Sequence, residues 1–160
     1  MTRRYAEETT VTSEKSRLEI ERTLSRYGAD QFVYGWEGPQ AVIDFRAHGR
    51  IIRFRLPLPD RRAREFTHTP THRFERSPAQ AEAAYDQAVR QKWRALALVI
   101  KAKLEAVISG IVTFEDEFLS FTVLPDGHTV SEWAQPQLEK AYASGLMPKL
   151  LPALPAGGKD

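Results

Sequence analysis

Apolar residues recur along this chain with two distinct periods. "FVYGW" (32–36) alternates Phe32, Tyr34 and Trp36; "AVIDFRA" (41–47) alternates Ala41, Ile43, Phe45 and Ala47; "RIIRFRL" (50–56) alternates Ile52, Phe54 and Leu56. A period of two belongs to strands with one buried face, so three strands are predicted. A two-residue turn at His48-Gly49 sets Ala47 opposite Arg50, Phe45 opposite Ile52 and Ile43 opposite Phe54. Taking "EGPQ" as a four-residue loop sets Trp36 opposite Ala41, Tyr34 opposite Ile43 and Phe32 opposite Phe45. The alternating apolar residues then share one face, and a slip of one residue would scatter them.

The other period is helical. Thr12 is placed to cap a helix from about Ser13 to Tyr27, with Ile20, Leu24 and Tyr27 on one stripe and Gly28 as its stop. Ser77-Pro78-Ala79-Gln80 is a capping box with proline at the first helical position. The helix it opens is expected to run from Pro78 to Ser109, about 48 Å, and to stop at Gly110. Tyr85, Val89, Trp93, Leu96, Ile100, Leu104 and Val107 form its stripe. Its centre, "ALALVI" (95–100), is apolar nearly all round and calls for cover on more than one side.

Beyond it, "TFEDEFLSF" (113–121) reads as a short helix capped by Thr113, and Pro125-Asp126-Gly127 as a turn. Thr129 to Glu132 is a second capping box, opening a helix through Trp133, Leu138 and Tyr142 to Gly145, with Pro136 placed to bend it. The pattern predicts an α+β fold: an N-terminal helix, a three-stranded antiparallel meander, a long helix packed on the sheet and further C-terminal helices. Residues 13–147 would form one domain, after a flexible polar arm (1–12) and before an extended tail (148–160).

Composition narrows the classes. The chain has 160 residues, no cysteine, 42% hydrophobic and 28% charged residues. That suits a globular chain of one domain and excludes disulfides, thiolate metal sites and a cysteine nucleophile. No apolar run approaches the roughly 20 residues needed to span a bilayer, and the N-terminus lacks the apolar core of a secretory signal. A cytoplasmic protein is expected, with no membrane partner.

Charge is unevenly spread. Residues 46–76 carry nine arginines against three acids, whereas residues 113–160 carry three lysines against seven acids. Such asymmetry points to an anionic partner or to attraction between the two halves of the chain. Arg46 and Arg55 fall on the outer face of the predicted sheet, where Asp44 stands ready to neutralise Arg53. "PLPDRRAREFTHTPTHRFERSP" has four prolines and no periodicity, so 57–77 is expected to be a basic, proline-rich, mobile loop, either functional or disordered, carrying Arg61, Arg62, Arg64, Arg73 and Arg76. Arg90, Arg94 and Lys101 lie on the less apolar side of the long helix. Arginine, unlike lysine, offers a planar fork that suits bidentate phosphate contacts.

Other chemistries find less support. His68 and His72 have a spacing used for metal on a helix, but Pro70 stands between them in a loop, so no metal or cofactor is expected. Glu115, Asp116 and Glu117 read as first-turn acids favoured by the helix dipole. No serine sits in a G-x-S-x-G elbow and no Walker or G-x-G-x-x-G motif is present, so no catalytic residue is assigned. Phe32, Tyr34 and Trp36 share the core face, which argues against a sheet whose exposed aromatics stack bases.

"EKSRLEIERTLSRYGADQFVYGWEG", "AHGRIIRFRLPLPD", "QKWRALALVIKAKLEAV" and "VLPDGHTVSEWAQPQLEKAYASG" together resemble small uncharacterised proteins of tailed-bacteriophage and prophage genomes. The resemblance covers most of the chain and implies a setting, in replication, recombination or evasion of host defence, but no activity. The order helix, three-stranded meander, long helix is also similar to the core of single-strand annealing proteins, an analogy of topology alone. The leading expectation is a non-catalytic nucleic-acid-binding protein, with single-stranded DNA favoured over duplex. Its contacts would be Arg46, Arg55, Arg61, Arg62, Arg64, Arg73, Arg76, Arg90 and Arg94. A homo-oligomer is expected. The alternatives are an anti-defence or interaction factor that binds a host protein or a small anionic nucleotide, and a structural subunit of a larger assembly.

Overall fold

A computed structural model describes residues 3–71 and 73–147, the first ten of them by backbone alone. In chain order it holds α1 (Arg3–Arg26), β1 (Gln31–Glu37), β2 (Gln40–Ala47), β3 (Arg50–Pro57), α2 (Arg64–Thr67), α3 (Pro78–Ile108), α4 (Phe114–Glu117), a 3-10 turn (Leu119–Phe121) and α5 (Val130–Ser144). The strands form one antiparallel sheet in the order β1-β2-β3. This is the α+β fold expected from the pattern, and the expected extended tail lies outside the described residues.

The register matches the alternation residue for residue. Phe45 stands opposite both Phe32 and Ile52, and Ile43 opposite both Tyr34 and Phe54. His48 and Gly49 take φ of 52° and 71°, the left-handed pair that a two-residue hairpin between twisted strands requires. The first hairpin is tighter than expected. Glu37 pairs with Gln40, so the connection is Gly38-Pro39, with Gly38 at a φ of 58°.

Burial follows the pleat. Ala41, Ile43, Phe45, Ala47, Ile52, Phe54 and Leu56 are buried, and α3 lays Tyr85, Val89, Trp93, Leu96, Ile100 and Leu104 against them. Ile20 and Leu24 of α1 and Phe114 and Phe118 of α4 and its C-terminal flank complete the core. Phe118 meets Phe45 and Phe54 edge-on, with ring centroids 5.9 and 6.4 Å apart. Each such ring withdrawn from water stabilises the fold by roughly 2–3 kcal/mol.

Four expectations change. The helix α1 starts at Arg3, not Ser13, so most of the expected flexible arm is helical and Thr12 is not its cap. Residues 3–12 carry no apolar stripe, but adding turns to an existing helix needs no new nucleus. Trp36, expected in the core, is 62% exposed, because β1 is an edge strand and its C-terminal end leaves the cover of the helices. Leu98 and Val99 at the centre of α3 are exposed, so that centre is covered on one side only within a single chain.

The fourth is the 57–77 loop, which carries structure of its own. Phe66 in α2 is buried with its ring 5.6 Å from Tyr85 of α3, and His68 forms an antiparallel bridge with Glu75. Both capping boxes form as expected, at Ser77–Gln80 and Thr129–Glu132, and Gly145 closes α5 in the left-handed region.

Candidate functional site

The nine arginines singled out in the sequence separate onto different parts of the molecule. Arg46, Arg53 and Arg55 project from the sheet face opposite the helices, since their neighbours in the alternation are the buried residues that α3 covers. Arg46 donates to Asp30 through Nε at 2.9 Å and Nη2 at 2.6 Å. Arg53 makes the same two-point contact with Asp44, at 2.9 and 2.7 Å, and Nη1 reaches the Gly127 carbonyl at 3.1 Å. Arg55 lies between Glu37 (2.9 Å) and Glu132 (3.0 Å). Three guanidinium groups therefore meet four carboxylates, and this face carries no surplus of positive charge. The hydrogen bonds from Arg46 hold the Asp30 carboxyl below its ordinary value, and those that Arg53 donates to Asp44 raise Arg53.

The loop arginines divide likewise. Arg61 contacts Glu82 and places its guanidinium 4.2 Å from the centre of the Tyr85 ring. Arg76 is half-buried and donates to the carbonyls of Glu65 and Phe66 at 3.1 and 3.3 Å. Both hold the loop in place. Arg62, Arg64 and Arg73 are exposed and, among the described residues, meet no carboxylate.

Arg90 and Arg94 are one turn apart on α3 and also meet no carboxylate among the described residues. They line a groove of about 620 Å³ between α1 and α3, shared with Lys15, Ser16, Glu19, Gln87, Gln91 and Leu98. Three cations here face one acid. A second hollow of about 600 Å³ runs between α3 and the start of the loop, lined by Pro57, Pro59, Glu65, Phe66, Gln91 and Lys92. Gln91 borders both. Lys15, Gln87, Gln91 and Phe74 were not singled out from the sequence. Lys15 and Gln87 line one groove only because α1 packs on α3, a contact that no local pattern records.

The histidines do not converge. His48 stacks on Phe114 at 4.3 Å with its Nδ1 3.8 Å from Glu115, His128 lies 3.4 Å from Asp126, and His68 accepts or donates at Thr67 Oγ1, 2.8 Å away. His72 lies outside the described residues. Among the described residues no group of three or more His, Asp or Glu side chains could hold a metal ion, and no helix is long and apolar enough to cross a membrane. The three adjacent acids of α4 do not form a cluster with one partner. Lys103 pairs with Glu117 at 3.0 Å, and Thr113 Oγ1 accepts from the Asp116 N–H.

No protein-family model matches this chain, and neither a curated protein nor a solved structure does.

Proposed function

We propose that this chain is a non-catalytic nucleic-acid-binding protein of phage type that takes single-stranded DNA in preference to duplex, in replication or recombination. The observation that carries this reading is the pair Arg90 and Arg94, which line the α1–α3 groove beside Lys15 and meet no carboxylate among the described residues. Phosphates would be held there and at Arg62, Arg64 and Arg73. Arg46 and Arg55 take a structural role in this reading, because a phosphate would have to displace carboxylates already bonded to them.

Preference for a single strand follows from the shape of the basic path. Reading a duplex through its major groove needs a helix or ribbon that enters it. Here α3 lies against the sheet and α1, and the arginines that meet no carboxylate among the described residues are spread along a groove and a loop. A flexible backbone can follow that route. A homo-oligomer belongs to the same proposal, supported by the exposed Leu98 and Val99 beside the groove.

The test is fluorescence anisotropy with labelled single-stranded DNA, duplex DNA and RNA of equal length, titrated with salt. The expected result is tightest binding of single-stranded DNA, with log K falling linearly as log salt rises. No binding at low salt would overturn the reading, and sedimentation of the same samples would report the assembly state.

A further inference from the structure

Within the 57–77 loop, two phenylalanines have opposite fates. Phe66 is buried against Tyr85 and fastens the loop to α3. Phe74 is 69% exposed. Its backbone is nonetheless held. Thr69 N–H donates to the Phe74 carbonyl at 2.9 Å, Phe74 N–H to Thr69 Oγ1 at 3.4 Å, and Arg76 N–H to the Thr67 carbonyl at 2.8 Å. With the His68–Glu75 bridge these bonds make a small hairpin of residues 67–69 and 74–76. The Arg76 guanidinium then ties that hairpin to the carbonyls of Glu65 and Phe66. A ring is thus displayed to solvent on backbone fixed at both ends.

A single exposed apolar residue is ordinary on a protein surface. The surroundings of Phe74 are what point to a ligand. Arg73 precedes it, and Arg64 lies on the α2 turn to which Arg76 fastens the hairpin; both are exposed and meet no carboxylate among the described residues. An aromatic face beside unpaired arginines is the combination that single strands use, bases stacking on the ring while phosphates take the charge. Duplex DNA keeps its bases stacked on one another and offers no free face.

We infer that Phe74 is a stacking platform for one unpaired base of a single-stranded nucleic acid, with Arg73 and Arg64 holding the adjoining phosphates. This rests on the nucleic-acid reading above and names how that reading selects a single strand. Phe74 is a recognition residue here, and its contribution carries no charge.

The probes are a labelled oligothymidine and a duplex of equal length, with the full chain, Phe74→Ala and Phe74→Trp. Phe74→Ala is expected to weaken oligothymidine binding about five- to hundredfold while leaving its salt slope and the duplex affinity unchanged. Phe74→Trp is expected to restore or exceed the original affinity, since any large aromatic face serves. Far-UV circular dichroism should be identical for all three, because the ring lies outside the core. Unchanged oligothymidine affinity in Phe74→Ala, or equal losses for single strand and duplex, overturns the platform while the nucleic-acid reading stands. If the full chain binds neither probe at low salt, both fall together.

Discussion

Arg53 and Asp44 face each other across β2 and β3 and close a two-point ion pair, Nε to Oδ1 at 2.9 Å and Nη2 to Oδ2 at 2.7 Å, with about three quarters of each side chain out of solvent. Arg53 also reaches the carbonyl of Gly127, so one guanidinium joins the outer sheet face to the turn before α5. Arg53→Ala is therefore expected to cost about 1–2 kcal/mol of stability, a fall in Tm of about 3–6 °C. Nucleic-acid affinity should not change. Thermal melts and the anisotropy assay check both halves, and a loss of binding without a loss of stability would return the sheet face to the interface.

Arg90→Gln with Arg94→Gln is the converse case. Both side chains are exposed and unpaired among the described residues, so stability should stay within about 0.5 kcal/mol. If each holds one phosphate, the slope of log K against log salt for single-stranded DNA should fall by about 1.4. Arg46→Gln with Arg55→Gln should leave that slope unchanged. Equal slopes for the two double variants would count against the groove.

The difference between these faces was only partly legible in the sequence. Strand pairing was legible because a slip of one residue would part Ile43 and Phe45 from the face of Ile52 and Phe54, and the two-residue turn at His48-Gly49 sets the register. The Asp44–Arg53 pair came with that register. The partners of the other arginines did not, because they are remote in sequence: Asp30 for Arg46, Glu132 for Arg55, Glu82 for Arg61. A count of arginines reads local charge, whereas the electrostatics of a surface depend on which carboxylates the fold brings to it. The start of α1 escaped for a related reason. Its first ten residues have no apolar period, so the pattern reads the helix only from the stripe whose Ile20 and Leu24 enter the core.

Trp93 supplies a test inside the core. It is 1% exposed, its ring lies 6.4 Å from Tyr34, and its Nε1 has no hydrogen-bond partner among the described residues. Trp93→Ala should cost about 3–5 kcal/mol through the cavity it opens. Trp93→Phe removes ring area but also a buried donor whose desolvation is uncompensated, a penalty of about 1–3 kcal/mol. The two effects offset, so Trp93→Phe is expected within about 1.5 kcal/mol of the parent in urea unfolding. A loss as large as that of the alanine variant would mean that the N–H is satisfied in solution.

Glu132 gives the fold a dependence on acid. Its carboxylate accepts from the Thr129 backbone N–H at 2.7 Å in the capping box that opens α5, and it also pairs with Arg55 at 3.0 Å. The capping bond, and after it the Arg55 charge, lower its pKa from the usual 4.5. A carboxyl lowered on folding contributes stability that is complete above its unfolded value and disappears as pH falls through the folded one. The cap should therefore act fully at neutral pH and be lost progressively below about pH 4.5. Glu132→Gln keeps an acceptor for the N–H but has no charge. At pH 7 its Tm is expected to lie below that of the parent, and the gap should close as pH falls from 5 towards 3. Asp30 titrates in the same direction in both proteins, so the difference between their melting curves isolates Glu132. A gap that stays constant with pH would show that the amide loses the cap by its shape, not by its charge.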